Sequence, residues 1–132
     1  MNKTFIIEND VNVAHSLEAH LSLNDFHAFA FADGDADEII NRILSFEPRY
    51  IIANLVLPRT NGLELIEKIK LNSELAELPI FIFTHLQNPL IKSRCLQLGA
   101  DYYYSTEEMT LPEFIEKFKK IIINRNRKNY IC

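Results

Sequence analysis

Apolar residues run along this chain in two alternating textures. Short runs of β-branched and aromatic residues, Phe5-Ile6-Ile7, Phe29-Ala30-Phe31, Tyr50-Ile51-Ile52-Ala53, Ile80-Phe81-Ile82-Phe83 and Tyr102-Tyr103-Tyr104, have the continuity of strands covered on both faces. Between them lie apolar positions at helical spacing: Val13/Leu17/Leu21, Ile39/Ile40/Ile43/Leu44, Leu65/Ile66/Ile69, Ile91/Cys95/Leu98 and Phe114/Ile115/Phe118/Ile121/Ile122. The pattern predicts five strands and five helices in strict alternation.

The punctuation between these segments agrees. Asp10, Asp35 and Asn61 can each accept a backbone N–H at a helix start, and Pro89 suits a first helical turn. Thr110 with Glu113 spells a capping box with Pro112 beside it, and Gly99 ends the fourth helix. Alternation with short connections implies an α/β domain: a doubly wound five-stranded parallel sheet, right-handed crossovers, and helices on both faces. One domain is expected over residues 1–132, with a basic polar tail from about residue 124.

Composition narrows the class. The 132 residues are 48% apolar and 24% charged, with 3 Gly and 5 Pro, which excludes disordered and collagenous chains. Lys and Arg number 14 against 18 Asp and Glu, a formal charge of −4, so broad binding to nucleic-acid phosphates is not expected. Cys95 sits mid-chain and Cys132 is the last residue, a usage that suits a reducing compartment. No signal peptide stands at the start, and no apolar run approaches the roughly 18 residues of a membrane span. The expectation is a soluble cytoplasmic protein with no membrane partner.

In such a sheet, ligands bind beyond the carboxyl ends of the strands. Those ends carry Glu8-Asn9-Asp10, Asn54, Thr84-His85 and Ser105-Thr106. With these residues in view, the sequence resembles the receiver domain of two-component response regulators over nearly its whole length. The stretches that carry the resemblance are Phe5-Ile6-Ile7-Glu8-Asn9-Asp10, Asn54-Leu55-Val56-Leu57-Pro58-Arg59-Thr60-Asn61-Gly62, Leu78-Pro79-Ile80-Phe81-Ile82-Phe83-Thr84 and Leu98-Gly99-Ala100-Asp101-Tyr102-Tyr103. Each motif alone is common. Four in order, at the family's spacing and on strand ends, are specific.

The resemblance implies a flavodoxin-like fold with strand order 2-1-3-4-5. It also implies a pocket in which an aspartate attacks a phosphoryl group held by Mg²⁺, with two acidic residues near the ion and a lysine on the phosphoryl oxygens. Here the phosphoacceptor position matches Asn54, whose neutral amide cannot form an aspartyl phosphate. The acidic pair matches Glu8 and Asn9, and the lysine position matches Thr106. Acceptor, metal site and phosphate clamp are impaired together, so no catalytic residue is assigned, the chain is not expected to act as an enzyme, and Mg²⁺ binding is expected to be weak or absent, resting on Glu8 at best. Thr84 and Tyr103 match the family's switch pair; the plainer reading of Thr84, as a residue that ends a strand well, is preferred.

Other candidates yield to simpler accounts. Asp33-Gly34-Asp35-Ala36-Asp37-Glu38 begins like a calcium loop, but Glu38 stands where glycine is needed and Leu44 where a bidentate glutamate is needed. An acidic helix start explains it better. His15 and His20, five apart, diverge by about 140° on a helix and cannot chelate together. His85 reads as a loop residue and Cys95 as a buried one. Lys117, Lys119, Lys120, Arg125, Arg127 and Lys128 read as a solvated helix end.

Three consecutive tyrosines, Tyr102, Tyr103 and Tyr104, cannot all enter the core from one edge strand, so at least one should lie at a surface between the fourth helix, fifth strand and fifth helix. The resemblance makes this surface one for dimerisation or effectors. The leading expectation is thus a degenerate receiver that acts as a phosphorylation-independent interaction module, its partner a histidine kinase, an output component or a second copy. Two alternatives remain: phosphotransfer in a phosphorelay through a non-standard acceptor, and small-ligand binding among Asn9, Asn54, Thr84 and Thr106.

Overall fold

The structure, a computed structural model, describes residues 2–131, and their side chains as far as residue 126. Cys132 and the side chains of Arg127 and Lys128 lie outside the described residues. The elements alternate: β1 (Asn2–Ile7), α1 (Val11–Ser22), β2 (Phe26–Ala30), α2 (Ala36–Phe46), β3 (Tyr50–Ala53), α3 (Gly62–Leu71), β4 (Ile80–Thr84), α4 (Pro89–Leu98), β5 (Tyr102–Ser105) and α5 (Leu111–Ile131). All strand pairs are parallel, in the order β2-β1-β3-β4-β5.

The period-2 geometry of the strands divides their side chains between two apolar layers. Phe5, Ile7, Ile51, Ala53, Ile80, Ile82 and Tyr103 face one side, with Ile39 and Ile43 of α2, Leu65, Ile66 and Ile69 of α3, and Cys95 of α4. Ile6, Tyr50, Ile52, Phe81 and Phe83 face the other, with Leu17 and Leu21 of α1 and Phe114, Phe118 and Ile122 of α5. Aromatic rings dock α5: Phe114 stacks on Phe83 at 4.3 Å, and Phe118 meets Phe81 edge-on at 4.7 Å.

The helix starts follow the sequence. Asp10, Asp35 and Asn61 each accept backbone N–H groups of the first turn, and Thr110 and Glu113 exchange hydrogen bonds as a capping box. Asn88, not singled out in the sequence, caps α4 ahead of Pro89. Gly99 closes α4 at φ 123°, where a side chain would also run into Lys70. That lysine donates to the Leu78 carbonyl at 2.9 Å and pairs with Asp101, which accepts the Ile80 N–H at 2.7 Å. These contacts tie α3 to the entrances of β4 and β5.

Two boundaries differ from the sequence reading. β2 runs Phe26–Ala30, earlier than the Phe29–Phe31 run, because its register is set by β1 from Asn2↔Phe26 to Ile6↔Ala30. As an edge strand it alternates, with His27 exposed, and lacks the continuous apolar texture of a central strand. The residues expected as a polar tail from about 124 continue α5 as far as Ile131, with no glycine or proline to stop them. Among the described residues no helix is long and apolar enough to cross a membrane.

Among the described residues, one buried polar side-chain atom has no partner, the Thr4 hydroxyl on β1. Leaving it unpaired costs about 1–3 kcal/mol, and valine has nearly the same shape. Thr4→Val should therefore raise stability by on the order of 1 kcal/mol in chemical denaturation. An unchanged or lowered midpoint would show that the hydroxyl is satisfied.

Candidate functional site

Parallel pairing sets the strand ends level. Ile7 lies beside Ala53 and Ala53 beside Ile82, while Thr84 lies beside Ser105. The residues that follow are thereby delivered to one edge of the sheet: the Asn54 N–H donates to the Ile7 carbonyl, and the Thr106 N–H to the Thr84 carbonyl. A cleft of about 290 Å³ opens there, lined by Glu8, Asn9, Asp10, Val13, Asn54, Val56, Phe83, Thr84, His85 and Thr106. Glu8, Asn9, Asn54, Thr84 and Thr106, 98 residues apart at the extremes by numbering, all meet in it.

A hydrogen-bonded core lies at its base. The Asn54 side-chain amide donates to both Glu8 oxygens, at 3.2 and 3.4 Å, and its Oδ1 accepts from the Thr84 hydroxyl at 2.8 Å and the Val56 N–H at 3.2 Å. Glu8 also accepts the Asp10 N–H at 3.0 Å. Burial raises the Glu8 carboxyl above its ordinary pKa, while the hydrogen bonds from Asp10 and Asn54 hold the shift back. Glu8 and Thr84 are buried, and Asn9 and Thr106 stand exposed at the rim.

Asp10, next to the pocket, spends its carboxylate on the first turn of α1, accepting from the Asn12 and Val13 N–H groups at 2.9 and 3.2 Å. His85 is exposed on the rim, as a loop residue would be. His15 is exposed on α1, and its neighbour His20 faces the Ser16 carbonyl. A second hollow of about 470 Å³ shares Glu8 and Asn9 and extends toward Glu18, Phe31 and Asp33. Asp35, Asp37 and Glu38 occupy the start of α2, with Asp35 as its cap.

Cys95 is buried, and burial pushes its thiol up to about 11, far from a reactive thiolate. The tyrosines divide as strand geometry requires: Tyr103 turns into the layer beneath α3 and α4, while Tyr102 and Tyr104 are half-buried on the opposite face near α5. The Tyr103 hydroxyl donates to the Leu86 carbonyl at 2.8 Å. Burial raises the Tyr103 and Tyr104 hydroxyl pKa values, most strongly through desolvation.

The five residues expected at the pocket all line this cleft, but the sequence reading missed Val13, Val56 and Phe83 in its lining, the Asn54 contacts and the contribution of the Asp10 backbone. Its one available signal was chemical: an amide between a carboxylate and a hydroxyl can satisfy both.

A model of the response regulator receiver domain matches residues 4–110. The response regulator ArlR of Staphylococcus aureus is 28% identical over 131 residues, covering 99% of this chain and 57% of that protein. The chain thus spans little more than half the length of the curated relatives it matches. Among solved structures, chemotaxis protein CheY4 of Vibrio cholerae is similar with a TM-score of 0.79 at 18% identity, over 91% of this chain and 97% of that one. The non-phosphorylated HemR receiver domain of Leptospira biflexa is similar with a TM-score of 0.80 at 20% identity, over 92% and 94%. These structural likenesses speak for the fold, in agreement with the strand order and the five helices. The match across residues 4–110 carries the family assignment, and the chain belongs to the response regulator receiver domain family.

Proposed function

We propose that this receiver domain serves two-component signalling without being phosphorylated, as a protein-interaction module. The observation that carries the proposal is Asn54. It stands at the position matching the family's phosphoacceptor, and its side chain is an amide engaged on both sides, by Glu8 and by Thr84. The amide nitrogen shares its lone pair with the carbonyl, and the oxygen is neutral, so neither atom is the charged nucleophile that an aspartyl phosphate requires.

The donor set does not fit Mg²⁺ either. A hard dication is held by carboxylates together with substrate phosphate oxygens. Glu8 is buried with both oxygens already bonded, Asn9 is neutral, and the Asp10 carboxylate caps α1. Thr106, at the position matching the family's lysine, brings no positive charge. Incubation with acetyl phosphate and Mg²⁺ should leave the intact mass unchanged; a gain of one phosphoryl group on any residue would favour the rival reading of a non-standard acceptor.

Stability supplies an independent check. Asn9→Asp with Asn54→Asp would set two more carboxylates beside the buried Glu8, and like charges disfavour one another's ionisation. The double variant should lose on the order of 1 kcal/mol without metal and regain it in millimolar Mg²⁺ through linkage. The natural chain should melt at the same temperature with chelator as with Mg²⁺. Stabilisation of the natural chain to the same degree would show a working metal site and defeat the proposal.

The proposed partners are a histidine kinase, an output component or a second copy of the chain. The surface offered is the one between α4, β5 and α5, where Tyr102 and Tyr104 are half-buried and Lys117 lies 5.7 Å from the Tyr104 ring. Leu90 and Leu96 of α4 are exposed. Tyrosine is enriched among interface anchors. Tyr104→Ala should weaken an identified association by about 1 kcal/mol or more without altering the fold, measured by calorimetry. A smaller change for both Tyr104→Ala and Tyr102→Ala would place the interface elsewhere.

A further inference from the structure

We infer that the free edge of β2 is a self-association surface, where a second copy of this chain pairs its own β2 antiparallel across a two-fold axis. This is the opposite edge of the sheet from α4, β5 and α5. The inference stands apart from the reading of Asn54.

β2 ends the strand order, so among the described residues no strand lies on its outer side. Alternate residues of a strand turn their N–H and C=O to the same side. The Phe31 N–H donates to the Ile6 carbonyl of β1, so Phe29 and His27 face β1 in the same way, and Phe26, Ala28 and Ala30 turn their backbone groups outward. Edges of this kind are ordinarily blunted by a lysine, a proline or a bulge. Phe26-His27-Ala28-Phe29-Ala30 holds no Lys, Arg, Asp, Glu or Pro, and its register with β1 is unbroken. Phe29 is 37% exposed, with its ring centroid 5.6 Å from Phe46 and 5.8 Å from Phe5.

Antiparallel pairing sets outward-facing residues opposite outward-facing ones, and one register does so over the whole of β2. Ala28 then stands opposite the partner's Ala28 on the axis, where bulk would hold the strands apart. Phe26 stands opposite the partner's Ala30, large against small, and His27 opposite the partner's Phe29, an aromatic pair. Charge agrees with this register. Asp25 stands just before β2, and just after it stands Phe31, with Arg42 of α2 4.5 Å from its ring. Asp25 and Arg42 are exposed, and neither has an ion pair among the described residues. The register brings Asp25 opposite the partner's Phe31 and toward the partner's Arg42, and the two-fold axis repeats the pair. β5, at the other edge, has four residues, so matching it end to end with itself would set outward backbone groups against inward ones.

Sedimentation equilibrium over a concentration series, with backbone amide exchange by NMR, tests the pairing. The natural chain should dimerise, and with rising concentration exchange at Ala28 and Ala30 should slow about tenfold or more while Phe29, already bonded to β1, changes little. Asp25→Arg and Arg42→Asp should each weaken the dimer about tenfold or more, since like charges then face one another twice. Mixed one to one, these two variants should recover the natural affinity, because both facing pairs are again opposite in charge; damage to either fold could not produce that rescue. A mixture no tighter than its components would overturn the inference. A natural chain that stays monomeric at about 1 mM would overturn it too, leaving the edge to water or to an extended segment of another protein. Dimerisation lost in Tyr104→Ala and untouched by Asp25→Arg would likewise overturn it, and would place the contact between copies on the surface of α4, β5 and α5.

Discussion

Everything at the strand-end cleft depends on the parallel register of β1, β3 and β4. Pairing Ile7 with Ala53 and Ala53 with Ile82 sets these strands level, and whatever follows them is gathered at one edge. The register is itself held by burial on both faces. A slip of one residue would turn Ile6, Ile52 and Phe81 toward the helices that now cover Phe5, Ile51 and Ile80. The two layers are differently shaped, aliphatic beneath α2 and α3 and aromatic beneath α5, so the exchange would be a misfit throughout.

Within the gathered edge, one side chain decides the chemistry. A buried carboxylate and a buried hydroxyl face position 54 from opposite sides. An aspartate there would leave the carboxylates in need of a cation. Asn54 answers both neighbours with neutral, directional bonds, and the Asp10 N–H supports Glu8 from below. The result is a base to the cleft in which Glu8, Asn54 and Thr84 satisfy one another.

The two edge strands differ in what they leave exposed. β2 leaves His27 exposed on one edge, and β5 leaves Tyr102 and Tyr104 half-buried on the other. Tyr103, between them, is drawn inward by its neighbours Cys95 and Ile82 and anchored by Leu86. Three identical residues therefore take two roles, solely through the alternation of a strand.

The sequence by itself determined the alternation of strands and helices, the caps at Asp10, Asp35, Asn61 and Thr110, and five of the residues that line the cleft, because each of these follows from short-range rules: periodicity, capping chemistry and the positions after strand ends. The start of β2 and the helical continuation of α5 beyond residue 124 escaped it. An edge strand's bounds are set by its partner, and a polar run carries no period of its own. Only the tertiary structure decided that the Asn54 amide lies between Glu8 and Thr84, 46 and 30 residues away, and that Tyr103 closes on Leu86. Such bonds are made by atoms that the chain brings together through the packing of the whole sheet, and no local pattern records their direction.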